Sequence, residues 1–277
     1  MKKIQLHAYA KINLTLDVTG KRPNGYHDVE MIMQQISLCD EVTVSWEAGS
    51  VRRGKPGQTA EPDPTGIQIQ LTVSRPDLPA DSSNLAWKAA EEMIAEFGGP
   101  AGGSSKAAAS TDATDGNAKA AAGTDAADGS SKTAAGTEVA GGVLTIDIQK
   151  QIPMAAGLAG GSSNCAAVLH AINQLWELNL SVKELCRIGA RLGSDVPFCI
   201  MGQAAAEEAL QESFADDPDA CHCALATGTG TDLKPLTGLD SFIVLSKPAI
   251  GVSTAEVYRG IDNEGIPRHP DNNAVIS

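Results

Sequence analysis

The sequence predicts an α+β fold, and three observations carry that prediction. The first eighty residues are dominated by segments in which apolar and polar residues alternate with the period of two that strands require. From residue 84 onward, helix-forming segments with a 3.6-residue apolar spacing take over. A late strand-like segment, "VLTIDIQ" at 143–149, returns among the helices, so strands and helices share one architecture rather than separating into halves.

Taken in order, "IQLHAYAKINLTLDV" at 4–18 reads as a strand, and "GKRPNGYHD" breaks it with turn formers. "VEMIMQQISL" and "DEVTVSW" resume the strand pattern, and "IQIQLTV" at 67–73 adds another strand. "NLAWKAAEEMIAEF" at 84–97 spaces Leu85, Met93, Ile94 and Phe97 for one face of a helix. Residues 98–142 are almost wholly Gly, Ala, Ser, Thr, Asp and Lys, with "TDATDG" recurring as "TDAADG". Such a tract buries too little apolar surface to offset its ordering entropy, so it reads as a disordered insertion within a domain. The strand after it must rejoin the sheet before it.

After the loop "IPMAAGLAGGSS" at 152–163, Ala167, Val168, Ala171, Ile172 and Leu175 keep helical period. "SVKELCRIGARLG" carries Ser181 and Glu184 at capping-box spacing and Gly193 at its end, which marks both ends of another helix. "DVPFCIMG" at 195–202 predicts a turn into a short strand, and the acidic tract 205–222 a second, shorter insertion. "SFIVLSKP" at 241–248 reads as a strand, "STAEVYRGI" as a helix capped by Ser253 and Glu256, and "HPDNNAVIS" as the start of a further helix.

Composition narrows the function. The chain has 277 residues, enough for one large or two modest domains, and 42% of them are hydrophobic. With 21 Lys and Arg against 34 Asp and Glu, it lacks the basic footprint of a nucleic-acid binder. An anionic ligand must therefore be held by local groups. No apolar run approaches the roughly 20 residues of a membrane helix, and a strand beginning by Ile4 leaves no room for a signal peptide, so a cytoplasmic location is expected. The six cysteines show no C-x-x-C pairing and are expected to be reduced, with no metal site. Cys221-His222-Cys223 reads as a surface loop, and His170 as an ordinary helix histidine.

The loop at 152–163 places Gly157, Gly160 and Gly161 where a strand gives way to a helix. Helix N-termini carry unpaired N–H groups and partial positive charge, and glycines let phosphate oxygens approach them. Ser162 and Ser163 follow in the first turn, where their hydroxyls can cap the helix and reach a phosphate or a Mg²⁺-bound oxygen. Tight turns or close helix packing would also call for these glycines. The loop lacks the Gly-Lys-Ser/Thr ending of a P-loop and the full G-x-G-x-x-G fingerprint.

"PMAAGLAGGSSNCAA" resembles the second motif of the GHMP kinases, the superfamily of galactokinase, homoserine, mevalonate and phosphomevalonate kinases. "AYAKINLTLDVTGKRPNGYHDVEM" at 8–31, "GSDVPFCIMG" at 193–202 and "SKPAIGVSTAEVY" at 246–258 resemble one branch of it. That branch phosphorylates 4-diphosphocytidyl-2-C-methyl-D-erythritol with ATP in the non-mevalonate isoprenoid pathway. The resemblance implies an N-terminal domain like the second domain of ribosomal protein S5 and a ferredoxin-like C-terminal domain. The expected division is 1–204, the acidic insertion 205–222, and 223–277. It further implies that Lys11 and Asp195 are catalytic, Asp195 as the base for the substrate hydroxyl. Tyr26 and His27 match residues that recognise cytosine, and Asn13 a position near the methylerythritol hydroxyls. ATP phosphates would be enclosed by Pro153, Met154, Ala155, Ala156, Gly157, Leu158, Ala159, Gly160, Gly161, Ser162 and Ser163, with Mg²⁺ as counter-ion. The family's third glycine-rich motif is not found before Ser277, and "TGTG" at 227–230 lies too early to be it, so the second domain is expected to be incomplete. A kinase for another small alcohol and an inactive nucleotide-binding fragment are the competing readings.

Overall fold

The computed structural model describes residues 1–23, 25–51, 66–100, 139–247, 251, 254–266 and 268–276. Its sheet is organised by a long antiparallel hairpin of β1 (Lys2–Lys21) and β2 (His27–Val51). The two strand segments expected at 29–38 and 40–46 are thus one continuous strand. β1 occupies one edge of β2, and two elements divide the other. β4 (Val139–Gln149) pairs with residues 41–51, and β5 (Cys223–Thr227) with residues 31–34. β3 (Ile67–Val73) lies parallel to β4, and β6 (Asp232–Leu236) antiparallel to β5, giving the path β3-β4-β2-β5-β6.

The strand after the low-complexity tract therefore rejoins the sheet that precedes it. Its first residues, 139–142, belong to the strand, while 101–138 of the expected insertion lie outside the described residues. Gly142 is needed there, because a Cβ on it would fall 2.5 Å from the Trp46 ring. β5 and β6, expected in the second domain, extend the same sheet, and "TGTG" is the turn joining them.

α1 (Leu85–Phe97) starts where the Asn84 side chain accepts a hydrogen bond from the Ala86 N–H and ends at Gly98, with φ of 69°. α2 (Gly160–Leu175) is buried almost without interruption from Ser163 to Leu175. It packs against the β1–β2 hairpin, α1, α3 (Val182–Leu192) and α4 (Val196–Ala206). The capping box of α3 is formed: the Ser181 N–H donates to Glu184 at 2.9 Å, and the Glu184 N–H to the Ser181 hydroxyl at 3.3 Å.

Four expectations are corrected. "DVPFCIMG" is the start of helix α4 and not a turn into a strand. Pro197 sits in its first turn, where no N–H is needed, and the apolar run beyond it is buried on every side, which hides the helical period. The acidic tract 205–222 is packed, placing Leu210 and, from α5 (Gln211–Phe214), Phe214 in the core. Cys221-His222-Cys223 likewise leads into β5, with Cys223 buried. Residues 241–247 of "SFIVLSKP" form no strand, and Phe242 and Val244 are exposed. The segment pairs with no described strand.

α6 (Thr254–Glu264) and α7 (Asn272–Ile276) follow the pattern read from the sequence, although Ser253 lies outside the described residues. No described helix is long and apolar enough to cross a membrane. The main core unites Leu6, Val42, Ile146, Leu169, Ile172 and Ile188, and a second cluster gathers Val29, Met31, Met33 and Phe198 beneath Tyr258 and Ile261.

The fully buried Asp40 lies between the stretches of β2 that pair with β4 and β5. Its Oδ1 accepts from the N–H groups of Gln151 at 2.6 Å and Ile152 at 2.8 Å. Its Oδ2 accepts from the Asn164 side chain at 2.9 Å and pairs with Lys150, which also donates to Asn164 at 3.0 Å. One carboxylate thereby fixes the end of β4, the entry to the glycine loop and the first turns of α2. Replacing it leaves a buried ammonium without its counter-charge. Asp40→Ala should lose about 3–5 kcal/mol in urea unfolding, and Asp40→Asn less.

His170 is buried in α2, with Nε2 donating to the Ile200 carbonyl at 3.0 Å, Nδ1 without a partner among the described residues and Phe214 edge-on at 5.3 Å. Burial depresses its pKa from 6.5 to about 4. The unfolded chain therefore takes up this proton before the folded chain does, so stability should fall as pH drops from about 6.5 towards about 4. His170→Leu should flatten that slope in denaturant unfolding measured across the window.

Candidate active site

The register of the β1–β2 ladder shifts between Tyr9 and Lys11. Such a bulge adds a residue to one strand and re-aims its side chains. Ala8, Ala10 and Lys11 are all buried as a result, which strict alternation would forbid. The Lys11 N–H donates to the Leu158 carbonyl of the glycine loop at 3.2 Å. Its side chain, only 6% exposed, runs to a polar end where Nζ lies 3.4 Å from Asp195 Oδ2 and 3.1 Å from Asn13 Oδ1.

Asp195 is the N-cap residue of α4, yet its side chain makes no capping hydrogen bond. The carboxylate is instead 30% exposed beside Lys11, able to accept a proton from a ligand. Cys199 lies one turn further along; burial and the Asp195 charge push its thiol up to about 12, so it stays neutral.

The glycine loop completes this centre. Ala155, Gly157 and Ala159 have φ of 49°, 71° and 55°, and Ala159 caps α2 without a side-chain bond. The left-handed region costs an alanine roughly 1–2 kcal/mol. That strain is held by the Asp40 network on one flank and the Lys11 contact on the other. Pro153, Ala155, Gly157 and Gly161 are exposed, while Met154, Ala156, Leu158, Gly160 and Ser162 are half-buried. The leading N–H groups of α2, at Gly160, Gly161 and Ser162, have no intrahelical acceptor. Added side-chain bulk at Gly157 would meet nothing within 4 Å, so the loop is open on that side.

Ser163 corrects the sequence reading. It is fully buried, its hydroxyl donates to the Tyr9 carbonyl, and the Gln203 side chain donates to that hydroxyl at 3.3 Å. It ties α2 to β1 and α4 and is not turned to a phosphate; Ser162 alone of the pair is left at the surface of the loop.

Tyr26 and His27 lie at the tip of the hairpin. Gly25, with φ of 87°, makes the turn, and the Arg22 N–H donates to the Tyr26 carbonyl at 2.7 Å. Tyr26 is 66% exposed. His27 stacks on Tyr258 of α6, with centroids 4.7 Å apart and planes 20° from parallel, and its Nε2 lies 2.8 Å from Asp262 Oδ1. Burial and the nearby Asp195 charge both raise the Tyr258 phenol.

Tyr258 and Asp262 were not singled out in the sequence, although their i, i+4 spacing puts them on one helix face. Two faint signals, an aromatic and a carboxylate one turn apart, marked that face.

A family model for the GHMP kinases N terminal domain matches residues 84–203. The 4-diphosphocytidyl-2-C-methyl-D-erythritol kinase of Alkaliphilus metalliredigens (strain QYMF) is 36% identical over 277 residues, 100% of this chain and 69% of the relative. The kinase of the same name from Clostridioides difficile (strain 630) is 36% identical over 278 residues, 100% and 68% of the two chains. A crystal structure of 4-(cytidine 5'-diphospho)-2C-methyl-D-erythritol kinase superposes with a TM-score of 0.55 at 24% identity, over 99% of this chain and 70% of that one, which establishes the shared fold. On its sequence similarity to these relatives, the chain belongs to the 4-diphosphocytidyl-2-C-methyl-D-erythritol kinase family of GHMP kinases.

Proposed function

We propose that the chain transfers a phosphoryl group from ATP to the 2-hydroxyl of 4-diphosphocytidyl-2-C-methyl-D-erythritol, with Asp195 as the base and Lys11 as its electrostatic partner. The observation that carries this reading is the 3.4 Å approach of Lys11 Nζ to Asp195 Oδ2, beside the loop that Lys11 itself anchors. Residues 184 positions apart converge there on an open, left-handed loop at a helix N-terminus.

The loop fits a polyphosphate. Three leading N–H groups of a 16-residue helix supply donors and partial positive charge, and the exposed backbone at Gly157 leaves room for oxygens to approach. ATP bound there supplies the transferable phosphoryl group, and Mg²⁺ neutralises its charge. Asp195 accepts the hydroxyl proton as the substrate oxygen attacks. The Lys11 ammonium keeps that carboxylate ionised and favours the developing alkoxide. Asn13 steadies the ammonium through its Oδ1 and is near enough to share a substrate hydroxyl.

At the other end of the substrate, Tyr26 offers an exposed aromatic face to the cytosine, and His27 a ring nitrogen to its edge. This division of labour places chemistry at Lys11 and Asp195 and selectivity at the hairpin tip. The reading implies work in the cytoplasm on a small-molecule substrate.

Asp195→Asn preserves shape while removing the proton acceptor, so kcat in a coupled ADP-release assay should fall by about 10²–10⁴ with KM for ATP little changed. An unaltered kcat would remove the base from the mechanism. Tyr26→Ala should raise KM for the cytidyl substrate by roughly tenfold, in keeping with about 1–3 kcal/mol for base stacking, and spare KM for ATP. Unchanged selectivity in that variant would favour a kinase of another small alcohol.

A further inference from the structure

Asp262 makes two contacts to the hairpin: Oδ1 lies 2.8 Å from His27 Nε2, and Oδ2 lies 2.5 Å from Lys21 Nζ. His27 and Lys21 hold its carboxyl below the usual range, so it is ionised and can only accept hydrogen bonds. The proton between them therefore sits on His27 Nε2. In the neutral ring this leaves Nδ1 as a bare acceptor, and Nδ1 has no hydrogen-bond partner among the described residues. Tyr258, stacked on one face of the imidazole, restricts the ring from turning over.

An acceptor held in that way discriminates between pyrimidines. Cytosine presents an exocyclic amino donor on its edge, and uracil presents a carbonyl oxygen at the same place. The amino group can donate to Nδ1. The carbonyl would set two acceptors against each other, and a site that leaves polar groups unpaired rejects the ligand responsible.

We propose that Asp262 is a positioning residue that fixes the His27 tautomer and thereby makes the hairpin tip selective for cytosine over uracil. The proposal rests on the reading of His27 as a cytosine contact. Asp262 acts through His27 and touches neither the base nor the reacting atoms.

The test is calorimetric binding of cytidine diphosphate and uridine diphosphate to the chain, which needs no turnover. The unmodified chain should bind the cytidine nucleotide more tightly. In Asp262→Asn the side-chain amide can donate as readily as accept, the tautomer is no longer dictated, and the preference should shrink by roughly tenfold, chiefly through weaker cytidine diphosphate binding. ATP affinity should stay unchanged, and Asp262→Glu should recover part of the preference. The proposal is overturned if Asp262→Asn keeps the full preference or weakens both nucleotides equally. It is also overturned if Lys21→Met, which removes only the other partner of Asp262, reduces the preference as much, because loosened docking of α6 would then explain the effect. His27→Ala separates the two levels: a retained preference there rejects the reading of His27, and the role of Asp262 with it. Loss of preference in His27→Ala alongside an intact preference in Asp262→Asn rejects only the role of Asp262.

Discussion

Everything at the glycine loop depends on how the Asp40 carboxylate is satisfied. Burying an ion pair costs several kcal/mol per charge in desolvation, and only good geometry with further hydrogen bonds offsets it. Asp40 meets that demand by accepting from two successive backbone N–H groups, an amide and an ammonium. Because these donors come from the end of β4, the loop entry and α2, the carboxylate is satisfied only when three segments hold one arrangement. The interaction is thus better understood as specifying geometry than as adding stability. The left-handed alanines that follow are tolerable because the loop is already pinned before and after them.

The same logic extends from the loop to the Lys11–Asp195 pair. The bulge at Tyr9 and Lys11 interrupts the ladder, turns the Lys11 side chain inward and frees its N–H for Leu158. Asp195 is carried on the first turn of a helix whose next turn inserts Phe198 into the second hydrophobic cluster. That cluster also receives Met31 and Met33 of β2 and the Tyr258 face of α6. Packing of one small apolar group therefore sets the relation between Asp195, the hairpin and α6. An uncapping Asp at a helix start is an electrostatic opportunity forgone, which is consistent with the role proposed for Asp195.

How legible this was in the sequence varied with how local the cause was. The α3 capping box, the period of α2 and the hairpin turn are set by neighbouring residues, and they were read directly. α4 was misread because complete burial erases the polar half of the helical pattern, leaving an apolar run that fits either element. Residues 241–247 have a strand's composition but pair with no described strand, and composition alone does not decide pairing. Ser163 lay in the right loop, but its hydroxyl faces inward to Tyr9 and Gln203, a matter of helix rotation that spacing does not fix. The approach of Lys11 to Asp195 and of Asp262 to His27 is tertiary altogether; family resemblance supplied the first pair, and for the second the sequence offered only the i, i+4 spacing of Tyr258 and Asp262, with no link to His27.

A chain with a formal charge of −13 that handles ligands rich in phosphate faces a repulsive average field. The site described above escapes it through short-range, oriented groups. Backbone N–H groups at the α2 start carry partial positive charge that solvent ions cannot displace, and Lys11 is buried enough to be weakly screened. Surface carboxylates lie in high dielectric, where a charge beyond about 10 Å is largely silenced by salt. Proximity therefore outweighs net charge. An acidic exterior also keeps adventitious anions and nucleic acids at a distance, so that binding an anion at the loop depends on matching its oxygens to fixed donors rather than on bulk attraction. On the proposed reading, selectivity is geometric at both ends: oriented donors at the loop, and an oriented ring at the hairpin tip.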